Sequence, residues 1–283
     1  MKLLRYGPKG QEKPGLLDAA GTIRSLAGII PDLAGDALSP GVLAKIAALD
    51  PMTLPKVEGN PRLGQCVTGL TNFVCIGLNY ADHAAETGAA IPKEPIVFLK
   101  SLGAVCGPND DVMIPRNSVK TDYECELAII IGTTARHVSE ENALDYVAGY
   151  AIANDVSERE WQAERGGAWD KGKGFDTFGP LGPWLVTKDE IADPQGLAMY
   201  TDIDGKRMQN GSTKTMIFGV KTLIAYVSQC ITLHPGDVIS TGTPPGVGLG
   251  VKPTPVFLRA GQTMKLGIAG LGEQTQKLVP WAM

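Results

Sequence analysis

The sequence has few of the residues that carry many familiar chemistries. Its 283 residues include only three histidines and five cysteines. The number of cysteines is odd and none form a Cys-x-x-Cys pair. This pattern favours thiols in a reducing cytoplasm over a disulfide framework. Basic residues number 26 against 30 acidic ones, so the chain has no positive field to hold a nucleic-acid backbone.

Long apolar runs are also missing. No run approaches the roughly 20 residues that span a bilayer, and residues 1–7 lack the apolar core of a secretory signal. We therefore expect a cytoplasmic protein with neither a membrane nor a nucleic acid as partner. Walker A, His-Glu-x-x-His and Gly-x-Ser-x-Gly motifs are absent. The glycines of residues 246–250 precede two prolines, so we interpret them as a turn-rich loop rather than a nucleotide site.

Turn residues are abundant, with 35 glycines and 20 prolines between short apolar segments. The continuous apolar runs predict strands buried on both faces. These strands are expected at residues 73–78, 96–100, 124–131, 147–154, 184–186, 197–203, 237–241 and 264–268. Helices are expected only at residues 82–87, 139–146, 157–165 and 218–230, with Ser139 and Ser157 as N-caps. The sequence therefore predicts an α+β fold around a curled, mostly antiparallel sheet.

The first part of the chain has a different composition. Residues 1–69 are rich in Ala, Leu and Pro and poor in aromatics, with short strands predicted at residues 2–6 and 15–17 and a helix at residues 42–48. We predict a small N-terminal domain over residues 1–69 and a catalytic domain over residues 70–283.

Two glutamates enter an apolar strand together. Glu124 and Glu126 alternate and so share one face, after which the strand becomes wholly apolar. Two like charges entering a core would raise each other's pKa, and a divalent cation removes that cost. Asp155 ends a second apolar strand and offers a third oxygen donor, a set that favours magnesium, manganese or calcium. The alternative is that both glutamates face water on an edge strand.

One histidine has a carboxylate at helical spacing. His83 and Glu86 are i,i+3 neighbours on the predicted helix after the first strand. A carboxylate orients the imidazole and raises its basicity, as a general base requires. The alternative is a surface His–Glu pair. His137 and His234 lie in turns and are interpreted as structural.

A cation and an amide follow Asp155 in the chain. Arg159 and Gln162 are i,i+3 on a predicted helix and could stabilise an oxyanion. The alternative is an exposed amphipathic helix. Lys173 lies in a glycine-flanked loop, where a lysine is usually solvated. Residues 241–244 follow an apolar strand and are expected to rim a pocket.

Taken in order, six segments resemble the fumarylacetoacetate hydrolase family. They are NYADHAAE (79–86), PIVFLK (95–100), DYECEL (122–127), NDVSEREWQ (154–162), KGFDT (173–177) and STGTP (240–244). The resemblance implies a mixed β-roll with short flanking helices. It also implies a homodimer or a dimer of dimers.

The resemblance implies a role for each matching residue. Glu124, Glu126 and Asp155 would hold one Mg²⁺ or Mn²⁺ ion, and His83 with Glu86 would activate water. The residues that match positions stabilising the oxyanion or polarising the substrate are Arg159, Gln162 and Lys173. The residues that match substrate contacts are Thr243, Lys100 and Tyr80.

The opening residues 1–15 look like those of a bacterial subgroup that cleaves 2,4-diketo-3-deoxy sugar acids, such as those derived from L-rhamnonate and L-fuconate. The expected reaction is hydrolysis of a C–C bond in a 2,4-dioxo acid or acylpyruvate, giving pyruvate and a carboxylic acid. Other activities stay open with the same site: oxaloacetate decarboxylation, ureidoglycolate cleavage, or isomerisation or hydration of a muconate. A non-catalytic binding protein is the remote alternative.

Overall fold

The computed structural model describes residues 1–282 and consists of short strands with few helices. The strands are β1 (Lys2–Tyr6), β2 (Lys13–Leu17), β3 (Ile23–Ser25), β4 (Phe73–Gly77), β5 (Ile96–Leu99), β6 (Val105–Cys106), β7 (Val112–Ile114), β8 (Thr121–Asp122), β9 (Cys125–Ile131), β10 (Val147–Asn154), β11 (Ser157–Glu158), β12 (Gly179–Thr187), β13 (Ala198–Ile203), β14 (Lys206–Ser212), β15 (Val238–Ser240), β16 (Thr263–Ile268) and β17 (Gly272–Pro280). The α-helices are α1 (Pro40–Ala47), α2 (Ala81–Thr87), α3 (Asp170–Lys173) and α4 (Val220–Cys230).

The largest sheet runs in the order β3-β2-β1-β12-β10-β9-β15-β4-β5, with β6 added beside β12. At its centre, β9 pairs antiparallel with both β10 and β15, while β15 pairs parallel with β4. Every residue of β9 and β10 is buried. This burial on both faces explains why these strands are continuous apolar runs.

A second sheet, in the order β14-β13-β16-β17-β7, packs against the first. Their shared apolar cluster joins Leu127 and Ile129 of β9 to Leu266 of β16 and to Leu223 and Ile224 of α4. The predicted α+β class, with a mixed, mostly antiparallel β-roll and short flanking helices, is confirmed.

The N-terminal strands continue the large sheet, because β1 pairs with β12. One apolar cluster contains Leu3 and Leu33 together with Leu185 of β12. The division into two domains after residue 69 stays a prediction. Among residues 1–282, no helix is both long and apolar enough to cross a membrane.

Two predicted helices differ from the structure. Ser157 and Glu158 form β11, which pairs with β8, and only Glu160–Glu164 form a helical turn, of the π type. The Ser157 hydroxyl donates to the Asp155 carbonyl instead of capping a helix. Over residues 139–146, only Ala143–Tyr146 form a 3₁₀ turn. Tertiary pairing with β8 overrides the helical pattern after Asp155.

Candidate metal and active site

The three predicted carboxylates meet at one end of β9 and β10. The strand register places Glu126 opposite Ala153, and the Asp155 amide donates to the Glu124 carbonyl at 2.9 Å. One oxygen from each of Glu124, Glu126 and Asp155 lies within 4.8 Å of the other two. All three side chains are buried on a central strand pair. The alternative of an exposed edge strand is therefore wrong.

Lysine and arginine side chains compensate two of the three acids. The Lys173 ammonium contacts Glu124 Oε2 at 2.6 Å and Asp155 Oδ2 at 2.8 Å. Arg159 Nη2 lies 2.8 Å from Glu124 Oε1, and Lys100 Nζ lies 2.7 Å from Asp155 Oδ1. Burial opposes ionisation of Glu124, but Lys173 and Arg159 lower its pKa to about 2. Lys173 is thus buried in an ion-pair network, and the alternative of a solvated loop lysine is wrong.

Glu126 is compensated differently. Within residues 1–282, it forms no ion pair with lysine or arginine, and its Oε2 accepts hydrogen bonds from Ser240 Oγ at 2.6 Å and the Gly242 amide at 2.9 Å. Burial, and then the charges of Asp155 and Glu124, raise the pKa of Glu126 well above its ordinary value. A hard divalent cation among the three carboxylates would stabilise the ionised form. The residues present therefore fit a magnesium or manganese site.

The predicted histidine pair forms on α2. His83 Nδ1 lies 2.9 Å from Glu86 Oε2, and the opposite oxygen of Glu86 accepts a hydrogen bond from the Gly246 amide at 2.9 Å. His83 is buried, so the alternative of a surface pair is wrong. Asn79 anchors the start of α2, since its side-chain amide donates to the Thr241 carbonyl and accepts from the Phe218 amide.

Arg159 and Gln162 are also brought together and buried. Arg159 Nη1 donates to Gln162 Oε1 at 3.0 Å, which excludes the alternative of an exposed amphipathic helix. Asp122 holds the opposite edge of the guanidinium, at 2.9 Å from Nε and 2.8 Å from Nη2.

One cavity of about 290 Å³ collects most of the predicted residues. Those that line it are His83, Glu124, Glu126, Arg159, Gln162, Lys173 and Thr243. Three further predicted residues do not line the cavity but contact residues that do. Glu86 contacts His83, and both Asp155 and Lys100 contact Lys173. A larger groove of about 590 Å³ lies beside Trp161 and Phe175, but no acid of the carboxylate cluster lines it.

Two of the predicted substrate contacts have other partners. The Tyr80 hydroxyl donates to Met199 Sδ at 3.4 Å, and Tyr80 is not part of the lining of the 290 Å³ cavity. The Thr243 hydroxyl donates to the Cys125 carbonyl and accepts from Gln209 Nε2. Contact of Tyr80, Thr243 and Lys100 with substrate stays a prediction.

Sequence reasoning missed Asp122 and the glycine loop. The buried Asp122 carboxylate accepts hydrogen bonds from the Gly248 and Leu249 amides at 2.7 and 3.0 Å, in addition to its ion pair with Arg159. Backbone amides of residues 246–250 therefore bind both Asp122, which holds Arg159, and Glu86, which holds His83. The position of Asp122 beside Glu124 hinted at a role, but its partners lie far away in sequence.

Comparisons with known proteins agree with this geometry. The family model described as fumarylacetoacetate (FAA) hydrolase C-terminal matches residues 72–279. A protein of Burkholderia ambifaria, whose name proposes only that it is a hydrolase, is 66% identical over 276 residues, covering 98% of each chain. The solved fumarylacetoacetate hydrolase of Exiguobacterium antarcticum is 36% identical with a TM-score of 0.87, covering 99% of this chain and 100% of that one. A maleylpyruvate hydrolase from Sphingobium, solved in complex with manganese(II) and pyruvate, is 28% identical with a TM-score of 0.81 over the full length of both chains.

Proposed function

The chain belongs to the fumarylacetoacetate hydrolase family, and from this premise we propose that it hydrolyses a C–C bond in a 2,4-dioxo acid. The products are pyruvate and a carboxylic acid. The observation that carries the proposal is that a buried carboxylate cluster and the buried His83, paired with the half-buried Glu86, serve one small cavity.

Glu124, Glu126 and Asp155 would hold Mg²⁺ or Mn²⁺. The bound ion would supply Lewis acidity and a template for the carboxylate and 2-oxo groups of the substrate. The manganese and pyruvate in the Sphingobium maleylpyruvate hydrolase support this assignment.

His83 would act as the general base. Glu86 accepts a hydrogen bond from Nδ1–H of His83. The unprotonated Nε2 is then the nitrogen that takes a proton from water. The resulting hydroxide attacks the C4 carbonyl. Because the Gly246 amide fixes Glu86 at 2.9 Å, the imidazole is held in one orientation before substrate binds.

Arg159, Gln162 and Lys173 would stabilise the oxyanion that develops on C4. They line the cavity, and Arg159 is held in place by Asp122. As the tetrahedral species collapses, the C3–C4 bond breaks and its electron pair remains on C3. Return of the proton that His83 took from water to C3 completes pyruvate, and the C4 carbon leaves as the carboxylic acid. A His83–Glu86 pair that activates water would serve this hydrolysis, whereas oxaloacetate decarboxylation and isomerisation do not consume water.

Substitution of the proposed base tests the assignment. His83→Ala should lower kcat for pyruvate release from a 2,4-dioxo acid by about 10²- to 10⁴-fold, because the general base is lost. Manganese binding, measured by calorimetry, should stay intact, since His83 is not among the carboxylate donors. His234→Ala, which removes an exposed histidine outside the cavity, is the control. Retained turnover in His83→Ala would exclude the proposed role.

A further inference from the structure

The cavity wall is chemically divided. Seven polar or charged side chains make up the proposed reaction site described above. The rest of the wall is dominated by apolar side chains. These are Ile76, Leu78, Ala89, Phe98, Ala163, Trp169, Val247 and Leu249.

Two further polar side chains line the cavity, and both have partners of their own. The Thr87 hydroxyl is 3.1 Å from the His83 carbonyl and 3.2 Å from the Ala84 carbonyl, as donor to the helix that carries it. Glu164 pairs with Lys120 at 2.5 Å. The Thr87 hydrogen is therefore already used and Glu164 offers only acceptor oxygens, so neither side chain has a donor left for the hydroxyl oxygens of a substrate tail.

The cations that line the cavity all belong to the proposed reaction site. Among the described residues that line this cavity, the side chains able to carry positive charge are His83, Arg159 and Lys173. Each contacts a carboxylate within 2.9 Å. A second carboxylate at the end of the substrate tail, away from the reaction site, would therefore meet a wall that has no cation of its own.

Trp169 packs against Phe98 and Gly77 in this wall. Its ring packs edge-on against Phe98, with centroids 5.4 Å apart. It also lies directly over Gly77, where any Cβ would clash with the indole. The Lys173 ammonium lies 5.3 Å from the centroid of the same Phe98 ring. The aromatic wall is thus built against a residue of the carboxylate network.

We propose, on the basis of the proposed function, that the substrate group beyond C4 is apolar, a short alkyl or aryl group, and that Trp169 and Leu249 contact it. A hydroxyl or carboxylate held against the buried Ile76, Phe98 and Val247 loses hydration without a side-chain donor or cation to replace it, so tails that carry such groups are disfavoured. This differs from the polyhydroxylated tail that the resemblance of residues 1–15 implied.

Three substrates that differ only beyond C4 test the proposal. They are 2,4-dioxooctanoate, its 5,6-dihydroxy derivative and 2,4-dioxooctanedioate, each assayed for pyruvate release with Mn²⁺. We expect kcat/KM for the alkyl compound to exceed that for each of the others by about tenfold or more, the range that an unpaired polar group produces. Equal or better cleavage of the diol or the diacid would overturn the proposal.

Variants connect the preference to the wall. Trp169→Ala should lower kcat/KM for 2,4-dioxooctanoate about tenfold but that for the short 2,4-dioxopentanoate less than twofold, because only the longer tail reaches the lost surface. Trp169→Phe should restore most of the loss. An equal loss on both substrates would show a structural role only and would contradict the contact.

Adding a cation should change the preference. Leu249→Lys should raise kcat/KM for the diacid relative to the alkyl substrate by about threefold, a modest factor because Leu249 is 42% exposed. The matched control is Leu102→Lys, at a residue that is 43% exposed and lines the other groove. An unchanged ratio in Leu249→Lys would contradict the placement of Leu249 at the tail.

Binding separates the two proposals. Mn²⁺-dependent affinity for the three compounds is measured by calorimetry with His83→Ala, which is expected to bind without turnover. If the parent releases no pyruvate from any compound, the proposed hydrolysis is wrong. Tighter binding of the alkyl compound would then still support the apolar tail, and equal or tighter binding of the others would overturn it.

Discussion

Two clusters of buried or half-buried charges can be compared. In the arginine cluster near the N-terminal strands, Arg62 contacts Glu12 at 2.8 Å and Asp110 at 2.5 Å, and Arg5 contacts Asp32 at 2.7 Å. Burial acts to raise the pKa values of Glu12 and Asp110, but hydrogen bonds from Arg62 hold both below their ordinary values. Both acids have arginine partners, so this cluster is complete without a ligand.

The carboxylate cluster of Glu124, Glu126 and Asp155 differs in one acid. Glu124 has cation partners and a lowered pKa, whereas burial and then its acidic neighbours raise the pKa of Glu126. Both clusters contain buried acids, so burial of charge alone does not identify a site. A buried acid without a cation partner does identify a candidate site, because its charge lowers the stability of the fold unless a ligand binds there.

The largest expected effect is loss of a cation from the carboxylate cluster. Lys173→Met should lower the free energy of unfolding of the metal-free protein by about 3–5 kcal/mol, because Glu124 and Asp155 lose a buried partner. Urea unfolding in EDTA measures it. Lys171→Met, on the same short helix but exposed, should change stability by less than about 0.5 kcal/mol. Similar losses of unfolding free energy in the two variants would show that the buried ion pairs of Lys173 contribute no special stability.

Metal addition should act through Glu126. Manganese at 100 times its Kd should stabilise the parent by about 2.7 kcal/mol, and Glu126→Gln should lose most of that gain. A raised folded pKa means that the stability contributed by protonated Glu126 is present below pH 4.5 and is lost as pH rises through the folded pKa.

At pH values above that folded pKa, ionised Glu126 is therefore a cost in the metal-free protein, and Glu126→Gln should be no less stable than the parent there. Thermal unfolding with and without Mn²⁺ checks both parts. A metal-free loss above about 1 kcal/mol, the size of an ordinary hydrogen bond, would contradict the cost assigned to ionised Glu126, and an undiminished manganese gain in Glu126→Gln would contradict its role as a ligand.

Substitution in the arginine cluster should change the free energy of unfolding least. The lowered pKa values of Glu12 and Asp110 contribute stability that is present above pH 4.5 and 3.8 and is lost as pH falls. Arg62→Met should cost about 1 kcal/mol near pH 7, since these pairs are partly exposed. It should also flatten the decline of stability between about pH 5 and pH 3.

Urea midpoints across that pH range measure the effect, with Arg136→Met, an exposed arginine, as control. Manganese should not change the result, because the ion-pair partners of Arg62 are Glu12 and Asp110, which do not belong to the carboxylate cluster. A pH profile for Arg62→Met that parallels the parent would contradict the assignment.

The predictable parts of the fold were those with a strong local pattern. The strand predicted at residues 147–154 matches β10, whose short apolar run has the length and composition typical of a strand buried on both faces. By contrast, β17 was missed because its inward residues include Gln274 and Gln276. Their buried side-chain amides donate hydrogen bonds to backbone carbonyls, including those of Ile152 and Pro108. These partners lie far away in sequence, so no local pattern predicts them.

Backbone periodicity is enough to predict which acids share a strand face and which histidine has a carboxylate at helical spacing. Periodicity does not predict the contact of Asp155 with Glu124, the ion pairs of Lys100 and Lys173 with Asp155, or the ion pair of Asp122 with Arg159. These contacts join residues brought together by strand register and loop packing. Their geometry depends on the whole fold, so local spacing cannot specify it.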